Sequence, residues 1–222
     1  TLFNLLTGLN QKVGNFPGIT VDKKTGFCKL SSGVSAEIID LPGTYSLYPK
    51  SKDESIVFQV LADKTNPSHP DIIILVADAT NLRRNLLLFS QVADLGIPML
   101  LVLNMADLAK KEGISVNVNK LAERLGVQVV TISARKLSGI DTLKKATAHT
   151  TLIATQNTTI DARNYAPAAV DAVKEKLGDV SDYYALQVLH QHETLTFLSK
   201  QQQEEIETIE VTNGFESVKL QG

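Results

Sequence analysis

Three short apolar runs, separated by stretches with helical spacing, constrain the fold of this chain more than any other feature. The runs are DIIILVAD at residues 71–78, IPMLLVLN at 97–104 and VQVVTIS at 127–133. Each run is apolar on both faces, as expected of a strand that helices cover on both sides. Between them, residues 81–95 and 117–125 carry apolar side chains at helical intervals. This alternation predicts a mostly parallel α/β sheet with right-handed crossovers and helices on both faces.

The segments on either side of this sheet predict an antiparallel hairpin and a helical tail. Upstream, GFCKL and SAEIID flank SSG, a pattern typical of a hairpin, which we place on the edge of the sheet. Residues 138–148 predict a last helix, and the threonine-rich stretch 151–165 predicts a linker. Two further helical patterns follow at 166–177 and 183–210. We therefore expect one α/β domain followed by a small helical subdomain.

The domain boundaries that follow are residues 1–150 for the α/β domain and 166–222 for the helical subdomain, which we expect to be incomplete at its C-terminus. A chain of 222 residues suits this division. The net charge is −2 and the charges are spread evenly, which argues against a nucleic-acid partner or a polybasic membrane patch. Cys28 is the only cysteine, and no apolar run reaches the ~18 residues of a membrane span. We expect a soluble, cytosolic domain.

Four short motifs occur in an order that indicates a purine nucleotide site. They are NFPGITVDKK, IIDLPGTYSL, LVLNMADL and TISARKL, which place in turn Thr20, Asp40 with Gly43, Asn104 with Asp107, and Ser133 with Ala134. All lie at the carboxyl ends of predicted strands or in loops beside the sheet, where open α/β sheets bind ligands. Taken singly, the same residues are explained as a Pro-Gly turn, helix caps and a strand end. Their order is not explained in that way.

The first two motifs suit the phosphates and a magnesium ion. Asp40, at a strand end, offers a carboxylate to Mg²⁺, usually through water. Gly43 has no side chain, so its backbone N–H can approach a γ-phosphate closely. Thr20 can direct its hydroxyl to the metal and its N–H to the same phosphate. These residues therefore predict a site for a nucleoside triphosphate with Mg²⁺.

The last two motifs suit the base. The two carboxylate oxygens of Asp107 can accept the N1–H and the exocyclic amine of guanine, a pair of donors that adenine does not offer. Asn104 can brace the loops or reach the purine edge, and the N–H of Ala134 can donate to the guanine O6. The sequence therefore predicts selectivity for guanine.

At this point the chain resembles a known family. NQKVGNFPGITVDKKTG, DLPGTYSL, VADATNLRRNLLL and LNMAD are similar to the cytosolic GTPase domain of the FeoB ferrous iron transporters, over about residues 1–150. The resemblance implies a Ras-like P-loop GTPase fold, GTP binding and slow hydrolysis. It also implies switch regions at 14–24 and 43–53, whose nucleotide state is coupled to a membrane permease portion of the same protein. The domain would lie at the cytoplasmic face of the bacterial inner membrane, and oligomers would form through the full-length protein.

The resemblance also assigns site residues. It implies nucleotide contacts from four segments of the chain: Gly18, Ile19 and Thr20; Asp40, Leu41, Pro42 and Gly43; Asn104, Met105 and Asp107; and Ser133, Ala134 and Arg135. The catalytic group would comprise Thr20, Gly43 and Thr44. Because Thr44 stands where Ras-like proteins carry a glutamine that orients water, hydrolysis would need another way to place the water. The family suggests K⁺ and backbone groups of the first switch.

The opening stretch, TLFNLLTGLN, predicts a helix that ends at Gly8. In GTPases the G-x-x-x-x-G-K-[S/T] loop leads directly into such a helix, and by the resemblance Thr1 falls just after that loop. We therefore expect the chain as given to keep both switches and the guanine site but to lack the first strand and the phosphate loop. By itself it would bind GTP poorly and would not hydrolyse it.

Several other residues have simpler interpretations than catalysis. Ser51 and Glu54 predict a helix capping box. His190 and His192, two positions apart on a helical stretch, make a poor metal pair and are interpreted as surface residues. Asp78 is predicted to cap the following helix. Arg83 and Arg84 on that helix are predicted to be solvated rather than to act as arginine fingers.

Two alternative functions remain open. One is a nucleotide-sensing module with negligible turnover, in which the helical tail distinguishes GDP from GTP. The other is a soluble translation-type GTPase, which is disfavoured because the chain has no basic RNA-binding extension.

Overall fold

The computed structural model of the chain describes residues 2–8, 11–16, 22–49, 51–150 and 161–215. Within these ranges the helices and strands are, in chain order, α1 (Leu2–Thr7), β1 (Gln11–Asn15), β2 (Asp22–Lys29), β3 (Ser35–Asp40), α2 (Lys52–Ala62), β4 (Ile73–Asp78), α3 (Leu82–Ala93), β5 (Met99–Asn104), α4 (Ala106–Lys111), α5 (Val118–Leu125), β6 (Gln128–Thr131), α6 (Ile140–His149), α7 (Pro167–Leu177), α8 (Asp182–Gln191) and α9 (Lys200–Thr212). The mixed α/β class predicted from the sequence is confirmed.

The three apolar runs form a parallel sheet in the order β4-β5-β6. The central strand β5 is buried on both faces, because alternate side chains enter two different hydrophobic clusters. Leu101 and Leu103 belong to the larger cluster, while Leu100 and Val102 belong to a smaller one that also contains side chains of α1 and α6. Helices therefore cover both faces of this sheet, as the doubly apolar runs indicate.

The predicted hairpin forms from β2 and β3, but its position differs from the prediction. The described strands form two sheets, and the hairpin pairs with β1 in an antiparallel sheet of its own, in the order β1-β2-β3. The ends of the predicted first switch, residues 14–15 and 22–24, are strand residues in this sheet; residues 17–21 lie outside the described part. The sequence QKVGN has one apolar residue and a glycine, so it shows no strand alternation, and β1 was missed.

Local capping sets the ends of several helices, and the caps at Gly8 and Ser51 are among those that the sequence predicts. Helix α1 ends before Gly8, whose φ of 65° is the left-handed conformation of a glycine cap. Ser51 caps α2 by accepting a hydrogen bond from the Glu54 N–H at 3.3 Å. Asn117 caps α5 by accepting one from the Lys120 N–H at 3.0 Å. The cap at Ser51 sets the start of α2, near the end of the predicted second switch at residues 43–53.

Over residues 166–215, the described part of the helical tail, the structure has three helices rather than the two that the sequence predicts. The single pattern expected at 183–210 is wrong, because α8 ends at Gln191 and α9 begins only at Lys200. Ser199 starts the new helix with a capping box. The Ser199 hydroxyl accepts from the Gln202 N–H, and the Gln202 side-chain oxygen accepts from the Ser199 N–H. This S-x-x-Q signal stops one continuous helix from forming through the segment.

The tail packs directly against α2 and α3. Val170, Val173, Leu186 and Leu189 are at most 1% exposed and belong to the same hydrophobic cluster as the buried faces of α2 and α3. Asp182, which receives hydrogen bonds from Arg163 and Lys174, joins α8 to the segments before it. The hydrogen bond from Lys174 and the ion pair with Arg163 hold the pKa of Asp182 below its usual value. In the described part of the chain, no helix is both long and apolar enough to cross a lipid bilayer.

Candidate nucleotide site

The carboxyl ends of the three parallel strands bring the predicted base-recognition motifs to one edge of the sheet. Asp78 at the end of β4 pairs in register with Asn104 at the end of β5. Leu103 pairs with Thr131 at the end of β6. The segments that follow β5 and β6, where the LNMAD and SAR motifs lie, are therefore neighbours in space, as the parallel arrangement predicts.

Asn104 ties these two segments together. Its side-chain oxygen accepts a hydrogen bond from the Ala134 N–H at 3.0 Å, across 30 positions of sequence. The Ala106 N–H donates to the carbonyl of Ile132 at 3.1 Å and adds a second link. Met105 adopts a left-handed conformation with φ of 60°, which turns the chain sharply from β5 into α4. Asn104 has the bracing role, one of the two that the sequence allowed.

Asp107 lies in the first turn of α4 and is fixed by Ser133. The Ser133 hydroxyl, which is 2% exposed, donates to one Asp107 oxygen at 2.6 Å. This hydrogen bond is the main reason that the pKa of Asp107 lies below its usual value, and Lys136 adds a weaker effect from 3.8 Å. The carboxylate is therefore charged at neutral pH. Each carboxylate oxygen has two lone pairs, so Asp107 keeps acceptors for a further pair of donors.

The loop after β6 is closed by its own backbone. Ser133 and Ser138 exchange two hydrogen bonds, of 3.0 and 3.1 Å, and enclose Ala134 and the exposed Arg135 between them. Gly139 then begins α6 with φ of 80°. A Cβ at this glycine would clash with the Thr131 carbonyl oxygen, so the close contact between the loop and β6 requires glycine.

We expect Gly139→Ala to lower the free energy of unfolding by about 1–3 kcal/mol more than Gly113→Ala does. Both glycines have positive φ, of 80° and 73°, so both alanines carry the cost of a left-handed backbone. Gly113 faces open space, whereas Gly139 would also meet the backbone of β6. Urea unfolding of both variants measures the difference. Equal losses of stability would show that the contact with Thr131 does not constrain the loop.

The segment after β3 carries the residues that the sequence predicts for the phosphate side of the site. Asp40 ends β3 with an exposed carboxylate, and the half-buried Leu41 and Pro42 lead to Gly43. A Cβ at Gly43 would meet nothing within 4 Å, so its backbone faces open space, as close approach of a ligand requires. Thr44 uses its hydroxyl within the turn, donating to the Ser46 carbonyl at 2.6 Å and accepting from the Ser46 N–H at 3.2 Å.

The remaining predicted residues of this side are Gly18, Ile19 and Thr20, and they lie outside the described residues. Of the two predicted magnesium ligands, Asp40 is therefore the one whose position is described. An exposed carboxylate at a strand end suits a hydrated Mg²⁺ ion, which keeps most of its water ligands. Within the described ranges, no cluster of three or more His, Cys, Asp or Glu side chains has the arrangement of a metal site.

Two buried glutamines, which the sequence analysis missed, anchor the predicted second switch. Leu47, 1% exposed, donates its N–H to the Gln91 side chain of α3 at 2.8 Å. Its carbonyl accepts from the Gln191 side chain of α8 at 3.2 Å. Gln191 also donates to Gln187 at 2.6 Å, and Gln187 donates to the Tyr183 hydroxyl at 2.7 Å. The sequence does not show that a glutamine in a helix is buried and hydrogen-bonded, because solvent-facing glutamines are common.

The predictions for the other polar residues have mixed outcomes. Arg83 and Arg84 are exposed, as expected. Asp78 does not cap α3, since it accepts from the N–H and hydroxyl of Thr80 in the turn before that helix, whose N-terminal flanking residue is Asn81.

The surface interpretation of the two histidines is wrong. His192 is 4% exposed, and His190 is half-buried with its ring edge against Tyr48, at 4.8 Å between centroids. Burial lowers the pKa of His190. Both sides of α8 are buried, so residues that point in different directions on this helix still avoid water.

The sequence matches a family model described as Ferrous iron transport protein B over residues 1–147. Among curated proteins, the Fe(2+) transporter FeoB of Leptospira biflexa is 43% identical over 144 residues, which cover 65% of this chain and 20% of that protein. The Fe(2+) transporter FeoB of Methanocaldococcus jannaschii is 54% identical over 146 residues, covering 66% of this chain and 21% of that protein. The matched part of this chain thus spans about a fifth of the length of these relatives.

Solved structures resemble almost the whole chain, including the helical tail. A GDP-bound mutant of the S. thermophilus NFeoB protein has a TM-score of 0.71 and 39% identity, over 99% of this chain and 88% of that one. The cytosolic domain of L. pneumophila FeoB has a TM-score of 0.73 and 37% identity, over 95% and 92%. The cytosolic domain of the T. maritima FeoB protein in its GMPPNP form has a TM-score of 0.69 and 30% identity, over 96% and 92%.

Proposed function

Because the chain belongs to the FeoB family of ferrous iron transport proteins, we propose that it binds GTP and GDP with Mg²⁺, hydrolyses GTP and regulates iron uptake. The permease that it regulates would be the membrane portion of the same protein. The domain would then work at the cytoplasmic face of the bacterial inner membrane. Structures of relatives with GDP and in a GMPPNP form support the nucleotide part of this proposal.

The observation that carries the proposal is the fixed carboxylate of Asp107. Ser133 holds it from the neighbouring loop, and Asn104 holds that loop through the Ala134 N–H. Two loops that would otherwise move independently present one charged acceptor pair at the edge of the sheet. Guanine offers the two adjacent donors that such a pair needs. On binding, the guanine O6 would take the Ala134 N–H in place of the Asn104 oxygen.

At the phosphate side, the roles divide between Asp40 and Gly43. The carboxylate of Asp40 would hold Mg²⁺ through water, and the ion, when bound, would neutralise charge on the phosphates. The Gly43 N–H would meet the γ-phosphate, since open space surrounds this residue. The Thr44 hydroxyl donates to the Ser46 carbonyl within its own turn, which supports a proposal that other groups place the attacking water. Backbone groups of residues 14–24, with K⁺ as an activating ion, would serve instead.

The proposal also includes the division of the chain into domains. Residues 1–150 would be the GTPase domain, 151–165 the linker and 166–222 the regulatory subdomain. The contacts of α8 with Leu47 support a regulatory role, because they place the tail on the segment that would respond to the γ-phosphate.

Steady-state phosphate release from GTP, measured on the full-length protein with Mg²⁺ and K⁺, tests the enzyme assignment. We expect slow turnover that requires Mg²⁺ and rises when K⁺ replaces Na⁺. Binding of both GDP and GTP without phosphate release would favour the alternative of a nucleotide-sensing module. Failure to bind guanine nucleotides would contradict the proposal as a whole.

A further inference from the structure

An open groove lies between the segment after β3 and the start of α3, away from the base-recognition loops. Its volume is about 660 Å³. The residues that determine its chemistry are Thr44, Tyr45, Ser46, Arg83, Arg84 and Leu87. Thr44, Tyr45 and Ser46 lie in the predicted second switch, whereas Arg83, Arg84 and Leu87 have no role in the nucleotide chemistry described above.

The groove is basic because two arginines line it side by side. Both are exposed, and the ion pairs formed among the described residues involve neither of them. The Arg84 guanidinium lies over the ring of Tyr45, 3.6 Å from its centroid. Stacking restrains the guanidinium and leaves its in-plane N–H donors available for a carboxylate. Glu54 also lines the groove, so the charges of these three side chains sum to about +1.

The same groove exposes apolar surface. Tyr45 is 53% exposed and Leu87 is 55% exposed, on opposite walls. A small inorganic anion would satisfy the arginines but would leave this apolar surface in water. A peptide with acidic and apolar side chains would bury the apolar surface and pair with the arginines at once. The two arginines outnumber the single carboxylate in the groove, so its charge favours an acidic partner over a basic one.

We propose that the groove lined by Tyr45, Arg83, Arg84 and Leu87 binds an acidic segment of another protein, whose carboxylates pair with the two arginines and whose apolar side chains pack on Tyr45 and Leu87. The residues that line the groove include none from the guanine-recognition loops, although Thr44, Tyr45 and Ser46 belong to the predicted second switch.

Tryptophan fluorescence tests this site directly. The chain contains no tryptophan, so Tyr45→Trp supplies a single reporter that keeps an aromatic ring beneath Arg84. The probe is a hexapeptide of four glutamates and two leucines. We expect a saturable change in fluorescence, weakened about tenfold or more when Arg83→Gln and Arg84→Gln are combined, because each lost charge-assisted pair weakens binding. Arg124→Gln, at an exposed arginine of α5, is the matched control and should leave binding unchanged.

Two comparison ligands complete the design. A hexapeptide with glutamine in place of each glutamate should not bind, and inorganic phosphate at equal concentration should not compete. Binding of the glutamine peptide as tight as that of the glutamate peptide would overturn the proposal, since the site would then be merely apolar. Competition by phosphate, or undiminished binding to the double arginine variant, would overturn it as well.

Discussion

Replacing Asp107 with alanine is expected to weaken GDP binding by about 100-fold and to abolish the preference for guanine over adenine nucleotides. The carboxylate would accept two hydrogen bonds from guanine, and bonds to a charged group contribute about 1.5–3 kcal/mol each. A loss of about 3 kcal/mol corresponds to roughly 100-fold in affinity. Adenine offers no matching pair of donors, so its weak binding should hardly change. Titrations of the full-length protein with fluorescent GDP and ADP measure both effects.

Asp107→Asn sharpens this test because it changes the hydrogen-bond pattern while keeping the size of the side chain. An amide presents one acceptor and one donor group, so it would face the guanine amine with a donor. Xanthine has a carbonyl at that position, and the variant should therefore prefer xanthosine diphosphate to GDP. Lys136→Ala is the control, since the Lys136 side chain is 66% exposed and its pair with Asp107 is long, at 3.8 Å, so it should contribute little. A variant that still prefers guanine would remove Asp107 from base recognition.

The strands that carry the site were predictable because burial leaves a clear pattern. β4, β5 and β6 are short apolar runs, and the polar residues directly after them had to meet at one edge of a parallel sheet. Asn104 and Asp107 could be placed on that basis alone. Their partners were not predictable in the same way: the pairing of Asp107 with Ser133 depends on the turn that Met105 makes in a left-handed conformation.

Other features are set by tertiary contacts that leave no periodic signal. β1 forms because β2 offers it an edge, although Val13 remains 64% exposed. His190 packs against Tyr48, and His192, directly after α8, lies beside Glu210 of α9; no local pattern around the two histidines reveals these contacts. The break between α8 and α9 is different, since the capping signal at Ser199 was present in the sequence and the longer helical pattern was given more weight.

Combining Gln91→Leu with Gln191→Leu is expected to lower the free energy of unfolding by about 2–4 kcal/mol and to weaken GTP binding while leaving GDP binding nearly unchanged. The two side chains hold the N–H and the carbonyl of Leu47. Leaving a buried backbone group unpaired costs about 1–3 kcal/mol. Without this anchor, the segment that carries Gly43 would be free to move, and in the proposed function the Gly43 N–H would meet the γ-phosphate, which GDP lacks. Urea unfolding and nucleotide titrations of the full-length protein measure the two effects.

The two single variants and one further glutamine separate this link from general loosening of the tail. Because both glutamines act on one residue, the double variant should depart from the sum of the single ones. Gln59→Leu is the matched control: Gln59 is 6% exposed and accepts from the Thr196 hydroxyl at 2.8 Å, so it also joins the tail to the rest of the domain, but the side chains that hydrogen-bond to Leu47 are those of Gln91 and Gln191. It should reduce stability without changing the ratio of GTP to GDP affinity. If Gln59→Leu shifted that ratio as much as Gln191→Leu does, the tail would act through overall stability, and the specific role of the Leu47 anchor would be refuted.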